Sequence, residues 1–166
     1  MIKSLVVLTV AASLGLISVA QARTLKLPND EFPIASVTIP DDWAQEEVTN
    51  GISGTSPDEA VYLAFVAVGN DKGMNAEIDD TFEMLKEQKV VLDQSSKKEN
   101  KFKINGLEAD ELLFQGSDED GPATVSITFV PIADKLVVLT YWVTTSEEKK
   151  HSAEVGKIIN SLKPAS

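Results

Sequence analysis

Hydrophobic and polar positions alternate along much of this chain, and the alternation divides it into short extended segments with two helical stretches between them. Ile34 to Ile39 alternates apolar and small residues and stops at Pro40, which predicts a strand entering a turn at Pro40-Asp41-Asp42. Trp43 to Val48 reads as the next strand. Asn50-Gly51 then signals a hairpin into Ile52 to Ser56. Val61 to Val68 is apolar at every position, so neither face suits water and the segment is expected to be a central strand covered on both sides. The glycines and short polar residues of 69–75 predict a loop. From about Glu77 to Gln88, Ile78, Phe82 and Leu85 recur at helical spacing, with Asp79, Asp80 and Glu83 near the positive end of the helix dipole.

The second half follows the same grammar. Val90 to Leu92 and Phe102 to Ile104 flank a polar stretch rich in lysine, and Asn105-Gly106 predicts a hairpin into Leu107 to Gln115. Residues 116–122 read as a loop carrying Asp118, Glu119 and Asp120. Ala123 to Ile132 alternates as a half-buried strand. The Ala133-Asp134 turn joins it to Lys135 to Thr144, which is apolar on both faces. A last helix is announced by Thr145 and Glu148 in the spacing of a capping box, presents Val155, Ile158, Ile159 and Leu162 on one stripe, and ends by Pro164. Strands needing cover on both faces, with two helices far apart in sequence, predict an α/β chain of the α+β kind: an antiparallel sheet sandwiched between helices.

The N-terminus is of a different character. Lys3 is followed by an uncharged, largely apolar run to Ala20 and by the small-residue site Ala20-Gln21-Ala22, the order of a cleavable secretory signal peptide. The expected organisation is therefore a signal peptide over residues 1–22 and one domain over 23–166, exported to the periplasm or secreted. No later stretch is apolar enough to span a bilayer, and the absence of cysteine removes both disulfides and a lipid attachment point. With a formal net charge of −11, nucleic acid and anionic lipid are poor partners. Lys97, Lys98, Lys101 and Lys103 read as a solvated strand edge, where lysine discourages unwanted pairing.

Candidate chemistry is sparse. The single histidine, His151, is the one base available to a covalent hydrolase and reads as a residue at the boundary of core and solvent. No phosphate loop, dinucleotide fingerprint or G-x-S-x-G is present. The acidic loop Asp118, Glu119, Asp120, Gly121 and the group Asn70, Asp71, Asn75 offer oxygens to a hard cation but lack the spacing of a calcium loop, so no metal or cofactor is expected. Of the two tryptophans, Trp142 lies in a doubly apolar strand and is read as core. Trp43 follows a turn and, with Asp41 and Asp42, is read as lining a groove for a partner or ligand.

The strand ending in Ile39-Pro40-Asp41-Asp42-Trp43, the first helix, the Asn105-Gly106 hairpin, the paired strands to Tyr141-Trp142 and the final helix ending Ile158-Ile159-Asn160-Ser161-Leu162 together resemble the PsbP/Mog-type fold, and within it bacterial DcrB-related periplasmic proteins. The resemblance implies a binding or accessory protein rather than an enzyme. Its members include an extrinsic photosystem subunit, a Ran-binding nuclear protein and a periplasmic factor used by phages. The chain departs from lipid-anchored members in having no cysteine to acylate. The resulting expectation is a non-enzymatic periplasmic accessory protein docking on another envelope protein. The alternative is a small-molecule or cation-binding protein.

Overall fold

A computed structural model describes residues 21–69 and 71–165. The signal-peptide reading falls almost wholly on residues 1–20, outside the described residues. Seven strands form one antiparallel sheet in the order β3 (Ala44–Val48), β4 (Gly51–Thr55), β5 (Val61–Val68), β9 (Lys135–Thr144), β8 (Gly121–Ile132), β7 (Leu107–Asp118), β6 (Val91–Ile104). A smaller sheet pairs β1 (Ala22–Leu27) and β10 (Lys163–Pro164) to the two sides of β2 (Ala35–Pro40). The two helices are α1 (Asp71–Glu87) and α2 (Glu148–Asn160). The chain is α+β as expected, but the sheet dominates and the helices cover only parts of it.

The doubly apolar strands take the central places. In β5, Val61, Leu63 and Phe65 point to one face and join Val37, Ile39, Val137, Leu139, Val155, Ile158 and Leu162 in the main core, beneath the small sheet and α2. On the other face, Val66 and Val68 meet Val138, Ile127 and the α1 residues Met74 and Phe82. Phe82 also sits edge-on to Phe114, with ring centroids 6.1 Å apart. Period-two alternation therefore sends successive residues of one strand to two different layers.

Several local expectations need correction. Helix α1 begins at Asp71, because Met74 continues its inward stripe one turn before Ile78. Asp71 and Asn75 are thus helical residues and not members of a loop, while Asn70 lies outside the described residues. Strands β7 and β8 leave only Glu119-Asp120 as their turn, where a seven-residue loop was expected. The capping box does not form. Helix α2 starts after Glu147, which makes no side-chain cap, and the Thr145 hydroxyl lies 3.3 Å from that of Thr124 instead.

The hairpin signals hold in position but differ in cause. Asn105 and Gly106 both have positive φ, as a tight two-residue turn requires. At the β3–β4 hairpin the turn residues are Thr49 and Asn50, and Gly51 is already paired. Its glycine is needed because a Cβ there would lie 2.0 Å from the Phe65 carbonyl oxygen. The lysine-rich segment belongs to one edge strand, β6, whose pairing with β7 shifts register between Asp93 and Lys98 and whose Lys101 and Lys103 pair with Asp110 and Glu108 across the hairpin at 3.0 and 2.7 Å. Among the described residues, no helix is long and apolar enough to cross a membrane.

Candidate functional site

Helix α1 covers the Val66–Val138–Ile127 part of the large sheet and stops at Glu87, leaving the far end of the same face open. Cross-strand register places Thr55, Tyr62 and Trp142 in one row on that open end, with Glu46 and Ser53 in the next. The result is a groove of about 930 Å³. Its floor is the sheet, and its walls are Met84 of α1 with Gln88 just beyond it, the Glu119-Asp120 turn and the β4–β5 connection. Tyr62 and Trp142 form a tilted aromatic pair with centroids 6.5 Å apart.

This geometry reverses the sequence reading of the tryptophans. Trp43 is 3% exposed and belongs to the main core, its ring 3.4 Å from where a Gly54 Cβ would stand, so it offers no surface to a partner. Trp142 is half-buried and lines the groove. Asp41 and Asp42 are exposed as expected, and Asp42 lines the groove. Alternation along β9 decides the case for Trp142: its neighbours Tyr141 and Val143 face the main core, so Trp142 faces the side that α1 leaves partly open.

The groove is acidic throughout. Asp42, Glu46, Glu59, Asp118, Glu119 and Asp120 line it, and none of the lining residues is lysine, arginine or histidine. Glu119 pairs with Lys89 outside the groove at 2.7 Å, whereas the other five have no ion-pair partner among the described residues. Asp118 has a fixed structural role. One carboxylate oxygen accepts the Trp142 indole N–H at 2.9 Å, and the other accepts the backbone N–H groups of Asp120 and Gly121. The acidic turn noted in the sequence thus holds the aromatic wall in place, which leaves Asp118 few free lone pairs for a cation.

A side hollow of about 200 Å³ continues the groove under α1 and shares Val48, Tyr62 and Met84 with it. Glu77 and Asp80 line this hollow, beside the hydroxyls of Thr81 and Thr140, which are 3.4 Å apart. Glu77 is half-buried and has no hydrogen-bond or ion-pair partner among the described residues; burial, and then the nearby Asp80, push its carboxyl up to about 7. Burial also raises the Tyr62 phenol, with Glu46 and Glu77 adding to the effect.

A second cluster, missed in the sequence, joins residues 93 positions apart. His151 is buried at 7% exposure and its Nε2 lies 2.9 Å from Asp58 Oδ2. Lys150 donates to the same oxygen and, at 3.3 Å, to Glu147. Ser56 donates to the other Asp58 oxygen at 2.8 Å, and its hydroxyl accepts the Val61 N–H. These bonds, that from Lys150 first, hold the Asp58 carboxyl well below the usual range. Asp58, Glu147 and His151 converge closely enough for a metal, but the Lys150 ammonium already supplies the positive charge there. The serine bonds the carboxylate and not the histidine, so the trio lacks the order of a nucleophilic triad. It fastens the β4–β5 turn to α2.

Comparison with solved structures places this architecture. The solution structure of cyanobacterial PsbP (CyanoP) from Synechocystis sp. PCC 6803 superposes with a TM-score of 0.57 at 9% identity, over 92% of this chain and 98% of that one. The chain has the PsbP/Mog-type fold. A Bacteroides thetaiotaomicron VPI-5482 crystal structure matches with a TM-score of 0.53 at 15% identity, over 80% of this chain but only 45% of that protein. LpqN of Mycobacterium tuberculosis, described as involved in cell envelope biogenesis, matches at 0.46 and 15% identity over 87% and 92% of the two chains. No family model and no curated protein sequence matches the chain. These identities speak to fold alone.

Proposed function

We propose that this protein is a non-enzymatic accessory protein of the cell envelope that docks on another envelope protein through the acidic groove between α1 and the large sheet. The observation that carries the reading is the groove itself: a concavity of about 930 Å³ with an aromatic pair on its floor and an acidic lining without a single basic residue. Such a surface complements a positively charged segment, which would stack on Tyr62 and Trp142 and find counter-charges along both walls. The order of Lys3, apolar run and Ala20-Gln21-Ala22 supports export, with cleavage after Ala22.

The cysteine-free chain gives a direct test. Met84→Cys places one thiol in the groove for a photo-crosslinker, and Phe32→Cys, at a residue 70% exposed in the β1–β2 connection, serves as control. The reading predicts one discrete crosslinked envelope protein from position 84 and not from 32, lost when Trp142→Ala is added. Equal yields from both positions would contradict it. A second reading, a small-molecule carrier using the same concavity, gains ground if position 84 crosslinks to nothing while a low-molecular-weight ligand co-purifies.

A further inference from the structure

We propose that the side hollow beneath α1 is a subsite for a lysine side chain, taking the ε-ammonium of the basic segment that occupies the groove. The inference rests on the docking reading above and adds the chemical group that is read. The hollow shares Val48, Tyr62 and Met84 with the groove, so a side chain reaching into it from the groove has apolar surface to lie against. Its polar lining is half-buried Glu77 and exposed Asp80, one helical turn apart on α1, together with Thr81 and Thr140, whose hydroxyls lie 3.4 Å apart. A long aliphatic stem ending in a compact cation matches a lining that combines apolar residues with two carboxylates.

Charge accounting points the same way. Two carboxylates face one small hollow, Glu46 of β3 adds a third negative charge near Tyr62, and no basic residue lines the space. Glu77 has given up part of its hydration without gaining a partner. Holding a carboxylate there costs stability unless a cation arrives, which is the pattern of a site built for its ligand and not for the empty fold. An ammonium carries three donors that can serve both carboxylates and a threonine hydroxyl. A guanidinium would commit its planar fork to one of the two carboxylates and, held in that plane, would serve the other acid and the hydroxyls less well. Three converging oxygen ligands of the kind that hold a metal are not found at this hollow among the described residues.

The test uses the full mature protein with a lysine pentapeptide, the same peptide acetylated on its side chains, an arginine pentapeptide and spermidine, each titrated by calorimetry at fixed ionic strength. The lysine peptide is expected to bind about tenfold more tightly than the arginine peptide, and acetylation to abolish binding. Glu77→Gln, which preserves shape, should weaken the lysine peptide about tenfold and leave the arginine peptide nearly unchanged. Asp80→Asn, exposed and thus safe for folding, should act in the same direction. Lysine affinity should also climb between pH 6 and 8 as Glu77 ionises against Asp80, Glu46 and Tyr62, and the climb should vanish in Glu77→Gln. If lysine and arginine peptides bind equally and neither variant matters, the subsite is refuted while the acidic groove stands. Should no basic peptide bind, the groove reading falls and takes the subsite with it. Spermidine outcompeting the lysine peptide would replace the protein segment with a polyamine and overturn the assignment.

Discussion

Exchanging the roles of the two tryptophans yields the sharpest expectation for stability. Trp43 is 3% exposed in the main core beside Ile39 and Gly54, whereas Trp142 is half-buried at the groove. Truncating a core tryptophan to alanine costs about 3–5 kcal/mol through lost burial and the cavity left behind. For a domain of this size that corresponds to a fall in Tm of about 10 °C or more, a large part of a total stability of about 5–15 kcal/mol. Trp142→Ala should cost about 2 kcal/mol, since it forfeits partial burial and the charge-assisted hydrogen bond to Asp118. Phenylalanine separates ring from donor. The Trp43 indole N–H is buried and has no acceptor among the described residues, so Trp43→Phe keeps most of the packing and removes an unpaired donor. It should cost less than about 1.5 kcal/mol. Urea unfolding of the three variants decides the matter. If Trp142→Ala proves more damaging than Trp43→Ala, or Trp43→Phe as damaging as Trp43→Ala, the placement of the two rings is wrong.

Three further outcomes follow from particular contacts. Because the folded-state carboxyl of Asp58 sits below its ordinary value, its contribution to stability is complete above about pH 4 and is lost as pH falls further. Asp58→Asn should therefore flatten the acid limb of a stability–pH curve and change its shape little at neutral pH. Glu77 has the opposite sign: its carboxyl is raised to about 7, so the folded state holds the extra proton between about pH 4 and 7 and stability declines across that interval. Glu77→Gln should remove the decline, leaving the variant more stable than the parent at pH 8 and similar at pH 4. Gly51→Ala forces a Cβ to within 2.0 Å of the Phe65 carbonyl oxygen and should disrupt the β3–β4–β5 pairing, read as a loss of about 3 kcal/mol or failure to fold.

The two helices and most strands of the large sheet were legible in the sequence because they depend on local pattern, whereas β1, β10 and the order of strands within the sheets were not. Val61 to Val68 announced a strand covered on both faces, and Asn105-Gly106 announced its turn. The site was not legible in the same way. Which face of β9 carries Trp142 is set by alternation, but whether that face is covered depends on where α1 stops, at Glu87, far away in the sequence. Asp58 and His151 met through a register 93 residues long, with no local signal at either end. Trp43 misled because a turn precedes it; the ring nevertheless turns inward, where it packs in the main core with Ile39 against Gly54. The acidic turn at Asp118 was noticed for its charge, while its work is to orient an indole.

The central claim is that the acidic, aromatic-floored groove is the binding surface, and amide and indole NMR shifts on titrating the mature protein with the lysine pentapeptide test it most directly. The account predicts saturable shifts at the Trp142 indole N–H, Tyr62, Met84, Gln88 and the Glu119-Asp120 turn, with Trp43 and the α2 face unmoved. Shifts that map to the small sheet and α2, or a groove that stays silent while peptide binds elsewhere, would contradict it.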